Sequence, residues 1–123
     1  MRSAMMEMDR LAPFVFPLPD KAGGHIELLD RTKSVVMRSG FVSLQSGESV
    51  GVHSTGRCEE LILVLRGRGE VEAEGFGRME VRASCAVYIP PYTSHDVINT
   101  GTEPLRYVYV VAPVLSVADK PGK

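Results

Sequence analysis

Short apolar runs separated by turn residues predict β-strands along most of this chain. From Gly24 onward several runs alternate apolar and polar residues with the period of two that is typical of a strand with one buried face. In residues 70–74, the glutamates are expected to face water while Val71 and Ala73 face the core. The predicted strands are residues 25–29, 34–38, 41–45, 60–65, 70–74, 78–82, 86–89, 95–99 and 105–111. Frequent glycines between them favour an all-β fold, either a sandwich or a closed barrel.

The N-terminal segment has a different pattern, because its density of prolines excludes a regular helix. We therefore predict an extended proline-rich arm over residues 1–23, a barrel over residues 24–115 and a polar tail over residues 116–123. The apolar side chains between the prolines, such as Phe14 and Phe16, need a surface to cover them. That surface belongs either to the same barrel or to a partner subunit, and we favour a homodimer.

Composition argues against several classes of function. The 123 residues fit one domain. The net charge is −1 and the 14 basic residues are scattered, whereas a nucleic-acid-binding protein concentrates positive charge on one face. No apolar stretch is long enough to span a membrane, and the N-terminus lacks the apolar core of a signal peptide. The two cysteines are too few for the disulfide framework of a secreted domain, so we expect a cytoplasmic protein with free thiols.

One predicted strand carries a carboxylate on its interior face. Cys58, Glu60, Ile62 and Val64 alternate onto one side of the strand, and the apolar members of this set indicate the core side. An inward carboxylate without a partner is energetically expensive. A metal, an arginine or a hydrogen-bond network must therefore satisfy Glu60.

Two histidines are placed to reach the same region as Glu60. His53 lies on the extended segment before this strand, and His95 opens another strand after a proline turn. Two imidazoles and one carboxylate suit Fe(II), Mn, Ni or Zn and leave coordination positions open for a substrate. The sequence therefore predicts a metal site inside the barrel, with a hydrogen-bonded His–Glu–His core as the alternative.

Two segments of the chain resemble the two sequence motifs of the cupin superfamily. The positions in register with these motifs are Gly47, His53, Glu60, Gly67, Pro90, His95 and Asn99. The resemblance covers residues 35–113, and small bacterial single-domain cupins are the subgroup it is most similar to. It implies a double-stranded β-helix, or jelly-roll barrel, of antiparallel sheets. It also implies that His53, Glu60 and His95 bind a divalent transition metal.

The chain departs from the cupin pattern at two positions. Thr55 replaces the second histidine of the usual His-x-His pair, so the ligand set is one imidazole short, and Tyr92 replaces the glycine of the second motif. Thr55, Cys58 and Glu59 are possible additional ligands; Cys58 could supply a thiolate, although we favour a small buried residue there. Glu59 is expected to point outward, but a one-residue bulge would exchange it with Glu60.

Aromatic residues on the predicted strands are candidates for the cavity wall. Tyr92, Tyr107 and Tyr109 could line the barrel mouth, where a phenol offers contact area and a hydrogen bond. Tyr92 is the strongest of these because it lies in a motif, and we also assign Ile62 and Tyr109 to the pocket. His25 lies outside both motifs and is expected at the surface or at a strand edge.

These observations leave two main functional hypotheses. In the first, the chain is a metal-binding cupin that acts on or binds a small polar molecule, with the ion as a Lewis acid. In the second, it is a non-catalytic module that binds a small molecule or a metal, or a cupin that has lost its ion. A structural dimer with a packed cavity is a weaker third possibility. No motif identifies a substrate, because the barrel fold hosts many chemistries.

Overall fold

The computed structural model describes residues 11–19 and 23–114, and all the regular secondary structure in these ranges is β-strand. The strands in chain order are β1 (Gly24–Leu29), β2 (Arg38–Leu44), β3 (His53–Ser54), β4 (Cys58–Arg66), β5 (Arg68–Ala73), β6 (Gly77–Arg82), β7 (Ala86–Ile89), β8 (Ser94–Ile98) and β9 (Leu105–Pro113). No helix in the described ranges is long and apolar enough to cross a membrane. The all-β prediction is confirmed.

The strands form two antiparallel sheets that enclose a common core. The larger sheet has the order β1-β2-β9-β4-β7, and the smaller one has the order β3-β8-β5-β6. Strand β9 pairs with both β2 and β4, although all three are far apart in sequence. Such crossovers between two facing sheets produce the double-stranded β-helix, which is a jelly-roll architecture.

Alternation along the strands fills the space between the sheets. On β4, Ile62 and Val64 are buried while Leu61, Leu63 and Leu65 on the other face are exposed. The predicted alternation in residues 70–74 is confirmed. The buried apolar cluster consists of Val42, Leu44, Ile62, Val64, Val71, Val81, Val87, Ile89, Val97, Leu105 and Tyr107. The core therefore lies between the sheets, as the period-two pattern requires.

One predicted strand is wrong, and one observed strand was missed. Residues 34–37 belong to a turn that follows Asp30, and only Arg38 of that prediction lies in a strand. The Asp30 carboxylate accepts a hydrogen bond from the Thr32 amide at 2.9 Å, and the Asp30 carbonyl accepts one from Ser34 Oγ at 3.1 Å. These local bonds favour a turn over a strand. The missed strand, β3, has only two residues.

The described part of the proline-rich arm, residues 11–19, has neither strand nor helix. The rings of Phe14 and Phe16 pack with their centroids 5.6 Å apart, and both border a shallow pocket with Leu28 and Lys33. The rest of the predicted arm before Gly23, and the predicted tail over residues 116–123, lie outside the described residues. The homodimer and the domain boundaries remain predictions.

The β4–β5 corner depends on a glycine at position 67. Gly67 has a φ of +84°, and a Cβ at this position would lie 2.3 Å from the Pro104 carbonyl oxygen. Gly75 offers a matched comparison, because its φ is also +84° and no other atom would lie within 4 Å of a Cβ there. The two glycines therefore separate the effect of backbone conformation from that of a steric clash.

We expect Gly75→Ala to lower the free energy of unfolding by about 1 kcal/mol, which is the cost of the left-handed conformation for a residue with a Cβ. Gly67→Ala should cost about 1–3 kcal/mol more, because the carbonyl it meets belongs to the backbone and yields little. Urea unfolding of both variants beside the wild type measures this difference. Equal destabilisation by the two substitutions would contradict the proposed clash.

Candidate functional site

Three strands from the two sheets bring together the predicted metal ligands. His53 on β3 and His95 on β8 are directly paired residues in the smaller sheet, and Glu60 on β4 faces them from the larger sheet. One ligand atom from each side chain lies within 4.8 Å of the other two. Among the described residues this is the only such group of three or more histidine, cysteine or acidic side chains. A single ion could contact all three.

The His95 ring is oriented by the backbone. Its Nδ1 lies 3.1 Å from the Thr93 carbonyl oxygen, and because a carbonyl only accepts, Nδ1 carries the proton and donates it. In the neutral ring, Nε2 therefore bears a lone pair. Nε2 is fully buried and has no hydrogen-bond partner of acceptable geometry, although Glu60 Oε1 lies only 2.9 Å away. In this neutral form two lone pairs face each other, and either a proton on Nε2 or a metal cation between the two atoms removes the repulsion.

His53 is held in a similar way. Its Nδ1 donates to the Gly51 carbonyl oxygen at 2.9 Å, which again leaves Nε2 as the nitrogen with the lone pair. The His53 and His95 ring centroids are 4.3 Å apart, with the ring planes at 53°. Backbone carbonyls that fix the tautomer of both imidazoles are a common outer support for histidine ligands. The local structure thus prepares both rings for coordination.

The electrostatics of the group are those of a buried ion pair or a metal site. Burial would lower the pKa of His95, but the Glu60 carboxylate and the Thr93 carbonyl outweigh it and raise that pKa above its ordinary value. Glu60 itself is buried, with 7% of its surface exposed. Either a proton or a metal ion can supply the positive charge that this carboxylate needs. Two imidazole nitrogens and one carboxylate fit Fe, Mn, Ni or Zn.

The other predicted ligands do not join this group. Glu59 points to the opposite face of β4, where its Oε1 accepts a hydrogen bond of 2.8 Å from the Tyr88 hydroxyl, so no bulge exchanges it with Glu60. The Thr55 hydroxyl donates to the Pro90 carbonyl at 2.8 Å and accepts from the Thr93 amide at 3.0 Å. Thr55 therefore ties the two motif segments together instead of offering a ligand.

Cys58 shares a cavity with the three ligand candidates but is not one of the group. Its thiol is not among the ligand atoms that lie within 4.8 Å of one another, and both Cys58 and Cys85 are free and half-buried. This arrangement supports the interpretation of Cys58 as a small residue of the cavity wall.

The candidate ligands open into a cavity of about 670 Å³ between the two sheets. Tyr109 lines it, as predicted, but the structure corrects the other two pocket residues. Ile62 is 1% exposed and packs in the apolar core, and Tyr92 is 64% exposed on the outside of a turn. Tyr107, which was not among the assigned pocket residues, lines the cavity because it lies on the same face of β9 as Tyr109.

His25 is a further cavity residue that sequence reasoning missed. It lies on the edge strand β1, and its Nε2 is 2.6 Å from the Tyr109 hydroxyl. Its position on an edge strand is as expected, but its contact with the cavity was not. The only sequence signal for this role was the alternation along residues 25–29. Alternation alone does not show which face of β1 points inward, because that depends on how β1 pairs with β2.

Tyr92 occupies the glycine position of the second cupin motif, and its backbone shows why glycine is usual there. Its φ is +57°, in the left-handed region that residues with a Cβ avoid. The Tyr92 amide donates a hydrogen bond of 2.7 Å to the Gly56 carbonyl, so the turn is fixed by the chain opposite. Tyr92 thus acts through its backbone, and its side chain points away from the cavity.

Comparison with known proteins identifies the family. The sequence model of the cupin domain matches residues 40–111, so the chain belongs to the cupin family. The polyketide synthase CurC of Streptomyces cyaneus is 31% identical over 123 residues, a match that covers 94% of this chain and 77% of that protein.

Two solved structures share the fold. The cupin domain of Cnp3 from Schizosaccharomyces pombe has a TM-score of 0.67 at 18% identity, and the match covers 73% of this chain and 64% of that chain. An RmlC-like cupin with a double-stranded β-helix fold from Methanocaldococcus jannaschii has a TM-score of 0.69 at 16% identity, covering 85% and 92% respectively. At these identities the similarity establishes the jelly-roll fold alone.

Replacing Tyr92 tests the strain at this turn. We expect Tyr92→Gly to be more stable to unfolding than Tyr92→Ala by about 1 kcal/mol, because only glycine adopts the left-handed conformation without a Cβ penalty. Both variants lose the same exposed ring, so their difference isolates the backbone effect. Thermal or urea unfolding measures it, and a Tyr92→Ala variant as stable as Tyr92→Gly would contradict a strained backbone at this position.

Proposed function

We propose that this chain is a metal-binding cupin that binds or acts on a small polar molecule in its barrel cavity. The supporting observation is the buried Nε2 of His95, which faces Glu60 Oε1 at 2.9 Å without a hydrogen bond. With His53 beside them, these atoms form a compact set of two nitrogens and one oxygen. A divalent transition metal (Fe, Mn, Ni or Zn) fits this set and satisfies both buried groups.

Three protein ligands leave coordination positions for a molecule in the cavity. A bound metal would supply Lewis acidity toward a carbonyl or hydroxyl oxygen of that molecule. The chain itself contributes the hydroxyls of Tyr107 and Tyr109 on the cavity wall. Burial raises the pKa of both, with the Glu60 carboxylate adding to the effect, so both phenols stay protonated at neutral pH. They are thus suited to donate hydrogen bonds to oxygen atoms of a ligand.

The relative CurC supports an oxygen-rich ligand. That protein is named as a polyketide synthase, and the match covers 94% of this chain. We propose that the ligand of this chain resembles a polyketide in carrying several carbonyl or hydroxyl oxygens. A cavity of about 670 Å³ suits such a molecule, since small-molecule sites commonly fall within a few hundred to a thousand cubic ångströms.

A non-catalytic binding module is the second candidate. It is favoured by Thr55, which stands where the cupin motif has a further histidine and whose hydroxyl already bonds two backbone groups. The site is then one ligand short of the usual cupin set. Binding of metal without turnover of any bound molecule would distinguish this alternative.

The two adjacent glutamates of β4 provide a matched test of the metal site. We expect the wild type, purified without chelator, to hold nearly one equivalent of metal by plasma mass spectrometry. Glu60→Gln, His53→Ala and His95→Ala should each lower metal affinity by about tenfold or more, because each removes a ligand. Glu59→Gln should leave metal content unchanged, since Glu59 bonds Tyr88 on the other face of the strand.

Circular dichroism of each variant controls for loss of the fold. A folded wild-type protein that neither contains metal nor takes it up from solution would contradict the proposal. So would a loss of metal in Glu59→Gln equal to that in Glu60→Gln. The first result would assign the three side chains to a hydrogen-bonded core, and the second would show that metal content does not depend on Glu60 as a ligand.

A further inference from the structure

The cavity wall carries a second group of polar side chains, separate from the candidate metal ligands. His25 on β1, Arg38 on β2 and Tyr109 on β9 all line the cavity and come from three neighbouring strands of the larger sheet. The His25 Nε2 and the Tyr109 hydroxyl are 2.6 Å apart, with ring centroids at 5.5 Å. We name these three residues the β1–β2–β9 group.

Gly40 makes the contact within this group possible. A Cβ at position 40 would lie 2.5 Å from the Tyr109 hydroxyl oxygen and 2.7 Å from His25 Nε2. Any larger residue would therefore occupy the place where the two side chains meet. Gly40 is paired with Tyr109 in the sheet, so the tyrosine ring extends over the glycine toward β1. The meeting of His25 and Tyr109 is thus a property of the fold at this position.

Arg38 adds a positive charge to the same surface. It precedes Gly40 by two residues, so both lie on the inner face of β2. Arg38 is opposite Val111, and Val111 is opposite Glu60, so Arg38 and Glu60 flank Val111 across the sheet. Within residues 11–19 and 23–114, Arg38 forms no ion pair, whereas Glu60 is engaged with His95. An unpaired guanidinium therefore faces the cavity near the candidate metal ligands.

Two acidic side chains lie near this charge, and within the described residues neither forms an ion pair with Arg38. Glu27 lies on β1 opposite Gly40, on the same face as His25 and within electrostatic range of Tyr109, but it does not line the cavity. Glu48 does line it, and its carboxylate accepts a hydrogen bond from the Gln45 amide at 2.7 Å. The β1–β2–β9 group thus combines one cation with a His25–Tyr109 pair that shares a hydrogen bond and keeps one further N–H or O–H to donate to an anionic oxygen.

We propose that Arg38, His25 and Tyr109 bind an acidic oxygen group of the ligand, either a carboxylate or an ionised enol. This inference rests on the proposed function, because it assigns the ligand's second point of attachment in the same cavity. The ligand would present one oxygen to the site of His53, Glu60 and His95 and its anionic oxygen to the β1–β2–β9 group. The substrate class is therefore a small, oxygen-rich organic anion.

Three small probes separate the sources of negative charge. Acetoacetate carries a carboxylate, acetylacetone forms an enolate at mildly alkaline pH, and acetoacetamide is a neutral analogue of similar size. Saturation-transfer NMR would measure their affinity for Zn²⁺-loaded and for chelator-treated protein. We expect the wild type to prefer at least one anion over acetoacetamide, and the preferred anion assigns the carboxylate or the enolate.

Arg38→Gln should weaken binding of the preferred anion by about tenfold or more and leave acetoacetamide nearly unaffected. Tyr109→Phe should weaken the same probe, because it removes the hydroxyl that meets His25. The matched controls are Arg66→Gln and Tyr88→Phe, which alter exposed residues outside the cavity and should change neither affinity. Both site variants should keep the wild-type metal content.

The outcomes distinguish this inference from the proposed function. Failure of both anions to bind at tens of millimolar, or equal affinities in wild type and Arg38→Gln, would overturn the anion site. Anion binding that depends on Arg38 in a protein that takes up no metal would retain the anion site and overturn the metal-binding function. Loss of binding in Arg66→Gln as large as in Arg38→Gln would show a nonspecific charge effect and also overturn the anion site.

Discussion

The contact between Glu60 and His95 is the constraint around which the two sheets are arranged. The two residues come from facing sheets, and with 7% and 2% of their surfaces exposed neither can be satisfied by bulk water. A buried carboxylate left without its partner costs several kcal/mol, so each residue makes the burial of the other tolerable. The Thr55 hydroxyl holds the same region together from the cavity wall, because it joins the β3 segment to the turn before β8. The polar centre of the barrel thus depends on a small number of mutually dependent contacts.

Strands β4 and β9 build both the apolar core and the polar cavity. Where Val64 pairs with Tyr107, both are buried in or beside the apolar cluster, and where Glu60 pairs with Val111, the same face of the sheet borders the cavity. Because β4 and β9 are antiparallel and paired residue by residue from Cys58 to Val64, the change from apolar to polar side chains occurs at the same level on both strands. One continuous sheet can therefore pack into the apolar core at one end and carry a binding site at the other. This gives the candidate ligands a packed support, which a precise site requires.

Sequence periodicity predicted the properties that depend on neighbouring residues. It indicated the inward face of Glu60 and most of the strands, because alternation is a local pattern. It failed for residues 34–37, where Val35 is 52% exposed, because hydrogen bonds to Asp30 stabilise a turn despite the apolar side chains. The assignment of Tyr92 to the pocket, which rested on its place in the motif, was wrong. The motif requires a left-handed backbone at this turn and does not determine where the side chain points. The strand order indicated that His53 and His95 could reach Glu60, and the resemblance to cupins supplied the ligand set.

The contribution of His25 shows why long-range pairing lies beyond such reasoning. The alternation near position 25 does not by itself indicate a cavity, and the contact of His25 with Tyr109 joins residues that are separated by 84 positions. That contact requires the register that pairs Gly40 with Tyr109, and it also requires a residue without a side chain at position 40. A glycine in a strand is usually interpreted as a weak point or a bulge, but here its missing Cβ is the space in which two polar groups meet. If the metal-ligand residues and the β1–β2–β9 group hold one molecule, the distance between the two groups determines which ligands the cavity selects. A ligand that reaches only one group would gain only part of the binding energy.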